Sequence, residues 1–173
     1  GLAAGFSVGQ ALKGAVELDA KFKQLAFRMS VANQKTITAA QVQGLVEQAA
    51  AKSGRRTAEL ADAFDDLSAA TGDMDFSSDV LESVGTAATA TGKPIGTLVQ
   101  LADQLHTKFG VAADEMGDAF AQVFEASTKG GPSLEEFSNV AGAMGAELLQ
   151  AGLSGRRGLD FMLGSLVQTD DEM

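Results

Sequence analysis

Apolar residues recur along this chain at spacings of three and four, the period of a helix with one covered face. The longest such run is Val8, Ala11, Ala15, Leu18, Phe22, Leu25 and Met29. The two spacings alternate strictly, which is a heptad pattern and predicts a long first helix from Ser7 to Gln34. A heptad stripe is covered either by the chain's own domain or by another copy. Leu18, Phe22, Leu25 and Met29 are the candidate oligomer interface on the second reading.

Seven shorter helices follow, each bracketed by start and stop signals. Thr38-Ala39-Ala40-Gln41 is a capping box, with Ile37 and Val42 placed for a hydrophobic staple. This helix carries Val42, Leu45, Val46 and Ala49 and stops at Gly54. A third helix starts near Thr57, carries Leu60, Phe64 and Leu67, and stops at Gly72. Ser77 is the expected cap of the fourth, with Phe76 stapled to Leu81 and an apolar face of Val80, Leu81 and Val84 before Gly92. Pro94 suits the first turn of the fifth, where a missing N–H costs nothing. Leu98, Leu101, Leu105 and Phe109 follow, up to Gly110. The sixth holds Met116, Phe120, Val123 and Phe124 ahead of Gly130-Gly131. Ser133-Leu134-Glu135-Glu136 is a second capping box, opening a helix with Phe137, Val140, Met144 and Leu148 that ends by Gly152. Ser154 is the expected cap of the last, which carries Leu159, Met162, Leu163 and Leu166.

The stop glycines Gly54, Gly72, Gly92, Gly110, Gly130 and Gly152 are 18, 20, 18, 20 and 22 residues apart. Taken in pairs they repeat every 38 residues, as from 54 to 92 and from 92 to 130. Such a period suits stacked helical hairpins. The expected fold is all-α: a long lead-in helix over 1–36, then antiparallel hairpins over 37–173 packed as a bundle or short solenoid. Gly142 and Gly145 smooth one side of the seventh helix for close packing.

Composition narrows the function. With 173 residues and 45% hydrophobic content the chain can bury a real core. Thirteen basic and 23 acidic residues leave a net charge of −10. DNA binding depends on Lys and Arg neutralising phosphates, so stable DNA binding is not expected, and anionic lipid is disfavoured by the same sign. The ten Phe are accompanied by no Trp or Tyr, which argues against a base-stacking platform. No Cys is present, which excludes disulfides and thiolate metal sites. No apolar run is long enough for an ordinary transmembrane helix. The chain opens on Gly1 and is expected to be a piece of a longer protein.

The candidate chemistry is thin. Asp73, Asp75, Ser77 and Asp79 have the alternation of a calcium loop, but the sixth and twelfth places hold Ser78 and Val84 instead of Gly and Glu. Acid at a helix start is favoured by the helix dipole, so capping is the better reading. His106 is the only His, and no Ser lies in a Gly-x-Ser-x-Gly elbow. It falls in the last turn of its helix, where positive charge is welcome. Asp65-Asp66 and Glu135-Glu136 are adjacent residues that point in different directions on a helix, so neither is an acid–base pair by itself. The turns at Gly92 and Gly155 match no phosphate loop. No catalytic residue, cofactor or metal is expected, and the chain reads as non-enzymatic.

Four stretches together resemble the core region of phage tail tape measure proteins. They are AKSGRRTAELADAF, LVQLADQLHTKFGVAADEMGDAF, SLEEFSNVAGAMGAELLQAGLS and GLDFMLGSL. The likeness runs over about residues 10–168 and lies in helix lengths, caps and small residues. Complete members of that family are far longer, and the heptad stalk, membrane-active and peptidoglycan-cleaving parts of some members are not in this chain. The resemblance implies a structural protein that sets tail length during assembly and leaves ahead of the DNA at ejection. It implies a virion location, in the tail tube lumen or tail tip. The implied partners are tail tube and tail-tip or baseplate hub proteins, a tail assembly chaperone and further copies of itself, a trimer being favoured. Membrane contact would fall to other parts of the parent protein. The competing class is a helical protein-binding module of a secreted bacterial effector or adaptor, with a groove for a partner helix.

Overall fold

The computed structural model describes residues 2–152 and 155–171, with side chains described for 13–164 apart from 142, 146, 149, 153 and 154. The described residues form α1 (Leu2–Asn33), α2 (Ala39–Ser53), α3 (Thr57–Thr71), α4 (Met74–Thr91), α5 (Ile95–Phe109), a 3₁₀ turn (Ala113–Glu115), α6 (Met116–Thr128), α7 (Leu134–Gln150) and α8 (Gly155–Asp171), with no strand among them. The all-α expectation therefore holds.

The caps explain most of the boundaries. Thr38 accepts from the Gln41 N–H, and the Gln41 side chain accepts from the Thr38 N–H, closing the box that opens α2. Ser133 and Glu136 do the same for α7. All six rhythm glycines have positive φ, from 68° to 90°. An L side chain is strained there, so the glycines set where the chain turns. One cap differs from expectation. Asp73, not Ser77, caps α4: its carboxylate accepts from the Phe76 N–H. Ser77 lies one turn further in, buried, donating its hydroxyl to the Asp73 carbonyl. Phe76 consequently sits inside the first turn instead of ahead of it. The expected Ser154 cap lies outside the described residues.

Consecutive helices are joined by short connections, and each helix also packs on the helix two places further along. Thus α2 meets α4, α4 meets α6 and α6 meets α8, while α3 meets α5 and α5 meets α7. The result is two rows of helices, with α1 laid against α2 and α3 at one end. Side-chain hydrogen bonds between distant segments follow this stacking. Lys21–Asp62, Arg28–Ser68, Arg55–Lys93, Thr89–Ser53, Lys93–Glu135, Gln122–Asp160 and Arg156–Gln122 join residues 34 to 42 positions apart. The 38-residue rhythm of the sequence is thus the step of the stack.

Between the rows lies one continuous apolar core, running from Phe22 to Leu163. Phe64, Phe109 and Phe137 are wholly covered in it, the last two stacked with ring centroids 6.2 Å apart. The expected division at residue 36 does not separate two packing units, because the second half of α1 contributes to this same core. The heptad stripe is corrected accordingly. Phe22, Leu25 and Met29 are 3%, 1% and 7% exposed within the single chain, and Leu18 packs at the edge. Once the chain's own helices cover them, they are core and not a surface for a second copy. Of the rest of the stripe, Ala15 is exposed, and Val8 and Ala11 lie outside the described side chains.

Candidate functional site: a groove and an exposed helix stripe

The residues singled out for chemistry are used structurally. His106, in the last turn of α5, stacks flat on Phe76 of α4, with ring centroids 3.6 Å apart and planes 12° from parallel. Its Nδ1 lies 3.1 Å from the Val111 carbonyl, an arrangement suited to an Nδ1–H donor, and its Nε2 lies 3.8 Å from the Asp73 carboxylate. The pair clamps the end of α5 to the start of α4. Asp73 is committed to its cap, so the acidic turn at 73–79 is a helix start. Among the described residues no three His, Asp or Glu side chains gather closely enough to hold a metal ion, and no helix is long and apolar enough to cross a membrane.

The paired charges also go to neighbours. Asp65 takes Arg28 from α1, with Lys21 3.7 Å away, while Asp62 takes Lys21 at 2.6 Å. The hydrogen bond to Asp62 is the main reason the Lys21 ammonium is held above its ordinary value. Arg55 and Arg56 reach Glu59, and Glu135 receives Lys93. Arg156 reaches Gln122 and approaches Asp118. Four buried side-chain atoms among the described residues lack a hydrogen-bond partner, on Arg55, Asp103, Gln104 and Ser138. The Oδ1 of Asp103 is covered and has no hydrogen-bond partner. Burial pushes the Asp103 carboxyl above the usual carboxylate range, against smaller opposing effects of Lys108, His106 and Thr107.

What remains open is apolar surface. One such feature is a groove between α4 and α6, of about 390 Å³. Ala87, Ala90, Gly117 and Ala121 make its smooth parts, and Phe120 and Phe124 form an aromatic wall. Phe120 is 4% exposed and belongs to the core, while Phe124 is 39% exposed and faces the groove. The groove exists because small residues replace bulky ones on the outer side of both helices, while Val80, Leu81, Val84 and Val123 hold their inner sides.

The second feature is on α1. Val16, Phe27 and Val31 are 69%, 70% and 65% exposed, and Ala20 is exposed with them. At 100° per residue these four fall within an arc of about 60°, opposite the Phe22–Leu25–Met29 stripe. The helix is therefore apolar on two sides, one covered and one open. Attention to the heptad alone hides the second stripe, although its spacing of 4, 7 and 4 stands in the sequence.

No family model, curated protein or solved structure matches this chain.

Proposed function

We propose that this chain is a non-enzymatic structural segment of a phage-type tail tape measure protein. In that role its parent occupies the tail tube lumen or tail tip, sets tail length during assembly and leaves ahead of the DNA. The observation that supports this reading is the two-row stack with its 38-residue step. An array in which each unit contacts its neighbours grows in one dimension in proportion to its sequence, which suits a protein that measures. The four resembling stretches lie along the described array, beginning at the end of α2 and ending within α8. A net charge of −10 suits a lumen that DNA must traverse without sticking. The test is an in-frame duplication of this segment in the parent gene, with tail length measured by electron microscopy. Longer tails are expected; unchanged tails in otherwise normal particles would overturn the reading.

A second reading rests on the α4–α6 groove, which has the apolar lining of a seat for an amphipathic helix. On that reading the chain is a helical binding module of a secreted effector or adaptor. A free-standing gene product recovered without tail proteins would favour it.

A further inference from the structure

α1 lies at one end of the two-row stack, against α2, α3 and part of α4. Its grip on them is confined to one stretch. Lys13 to Glu17 are all exposed, and the covered residues are Phe22, Leu25, Ala26 and Met29, with Leu18 at the edge. Its polar ties are narrower still. Lys23 is answered within α1 by Asp19. Lys21 reaches Asp62 at 2.6 Å and Asp65 at 3.7 Å, and Arg28 reaches Asp65 and, at 3.1 Å, the Ser68 hydroxyl. Among the described residues, every side-chain hydrogen bond or ion pair from α1 to another helix thus ends on α3. Asp65 takes both bases. The side chains of Lys21, Arg28, Asp62 and Asp65 keep 28% to 66% exposure, so salt reaches the tie and screens it.

The connection to α2 divides at one point. Residues 34–37 are tied back to α1. Gln34 takes a left-handed φ of 53°, the Lys35 N–H donates to the Ser30 carbonyl at 3.3 Å, and the Ile37 N–H donates to the Ser30 Oγ at 2.9 Å. α2 starts on its own box of Thr38 and Gln41 and draws no cap from α1. Gln34, Lys35 and Thr36 are exposed, so the corner is free to move. A swing about the Ile37–Thr38 link breaks none of the backbone hydrogen bonds described at this corner.

We propose that α1 is a strap that swings off the array as one body about the Ile37–Thr38 link while α2–α8 stays folded, with Asp65 as the latch that holds it closed. The closed state has the single continuous core. The open state shows Phe22, Leu25 and Met29, and it uncovers α2 where Val42 and Leu45 share a pocket with Met29. The strap therefore hides or shows an apolar surface, and ionic strength shifts the balance. A strap of this kind goes beyond the tape measure reading and requires nothing of it.

The test is amide hydrogen exchange of the whole chain, read residue by residue by nuclear magnetic resonance. Amides 22–33 are expected to share one opening, about 100-fold or more above that of Leu98 to Leu105. Raising salt from about 0.01 M to about 1 M shortens the screening length about tenfold and is expected to speed this opening about threefold. Asp65→Asn and, from the other side, Arg28→Gln are each expected to speed it about 10-fold, the low end for a hydrogen bond to a charged group. Asp66→Asn, at an exposed position that enters no ion pair among the described residues, is expected to leave it unchanged. Gly145→Ala decides the matter, because it strains the array far from α1. It is expected to speed exchange over Leu98 to Leu105 and to leave 22–33 as in the wild type. Circular dichroism checks that each variant is folded. Gly145→Ala speeding both regions alike would overturn the proposal, since α1 would then unfold only with the whole. So would exchange graded along 22–33, the mark of fraying, or an opening indifferent to salt and to both latch variants.

Discussion

The backbone of α7 passes so close to α5 at Gly145 that a Cβ there would stand 2.6 Å from the Lys108 Cβ and 3.0 Å from the Lys108 carbonyl oxygen. Gly85 plays the same part between α4 and α2, where a Cβ would meet the Ser53 Oγ at 2.6 Å. Both contacts join helices two places apart in the chain, which is the spacing that builds the stack. Gly142, expected to share in the smooth side of α7, lies outside the described side chains.

Gly145→Ala should therefore cost about 1–3 kcal/mol, the usual result of forcing a methyl group into a packed site. Gly85→Ala should also be costly, because the Ser53 Cβ, 2.8 Å away, cannot swing aside as its hydroxyl can. Gly44, within α2, is the control: a Cβ there meets nothing within 4 Å. Gly44→Ala should stabilise by roughly 0.5–1 kcal/mol through helix propensity alone. Urea unfolding of the three variants checks all of this, and equal effects at 44 and 145 would contradict the packing described.

Removing the caps should shorten the helices that they start. Thr38→Ala, Asp73→Ala and Ser133→Ala are each expected to cost about 0.5–2 kcal/mol. Asp73→Ala also removes the carboxylate beside His106. Denaturant midpoints for the three variants check the assignment.

The heptad stripe should behave as core. Leu25→Ala, at 1% exposure, should cost about 2–5 kcal/mol. Phe22→Ala should cost about 3–5 kcal/mol. The fraction of each variant that remains folded should show wild-type association in sedimentation. A large change in association with little change in unfolding midpoint would return these residues to an intermolecular seam.

Asp103 should take stability away as pH rises through the acidic range, opposite in sign to Glu125 and Glu135, whose carboxyls are held below the usual range. The Asp103 carboxyl is held above the ordinary aspartate range, chiefly by burial. The folded chain then binds its proton more tightly than the unfolded chain does. Its destabilising effect is absent below the unfolded value and complete above the folded one. Asp103→Asn should raise the midpoint at pH 7 and lose that advantage towards pH 4. Lys21 contributes at the alkaline end: its ammonium is held above its ordinary value, mainly through the Asp62 hydrogen bond, so its contribution is present below that ordinary value and fades above the folded one. Thermal melts across pH check both signs.

Much of this architecture is legible in the sequence because helix starts are local events. A capping box needs only four residues, and Thr38–Gln41 and Ser133–Glu136 form as written. The start of α4 is misread because Asp73 and Ser77 are both good caps one turn apart. The choice falls to Asp73, which takes the extended backbone of a cap while Ser77 does not. Periodicity likewise reveals that Phe22, Leu25 and Met29 are covered, but not by what, since a heptad looks the same against α2 as against another copy. The His106–Phe76 stack joins residues 30 positions apart, and no local pattern announces it. The groove is harder still, because it is made by what Ala87, Gly117 and Ala121 lack.

The most direct measurement of the proposed function is quantitative mass spectrometry of tail particles purified from cells that express this chain, before and after triggered DNA release. The account predicts that peptides of this chain are present at a few copies per intact particle and depleted once the DNA has left. Particles of normal length that lack these peptides, or that retain them in full after ejection, would contradict it.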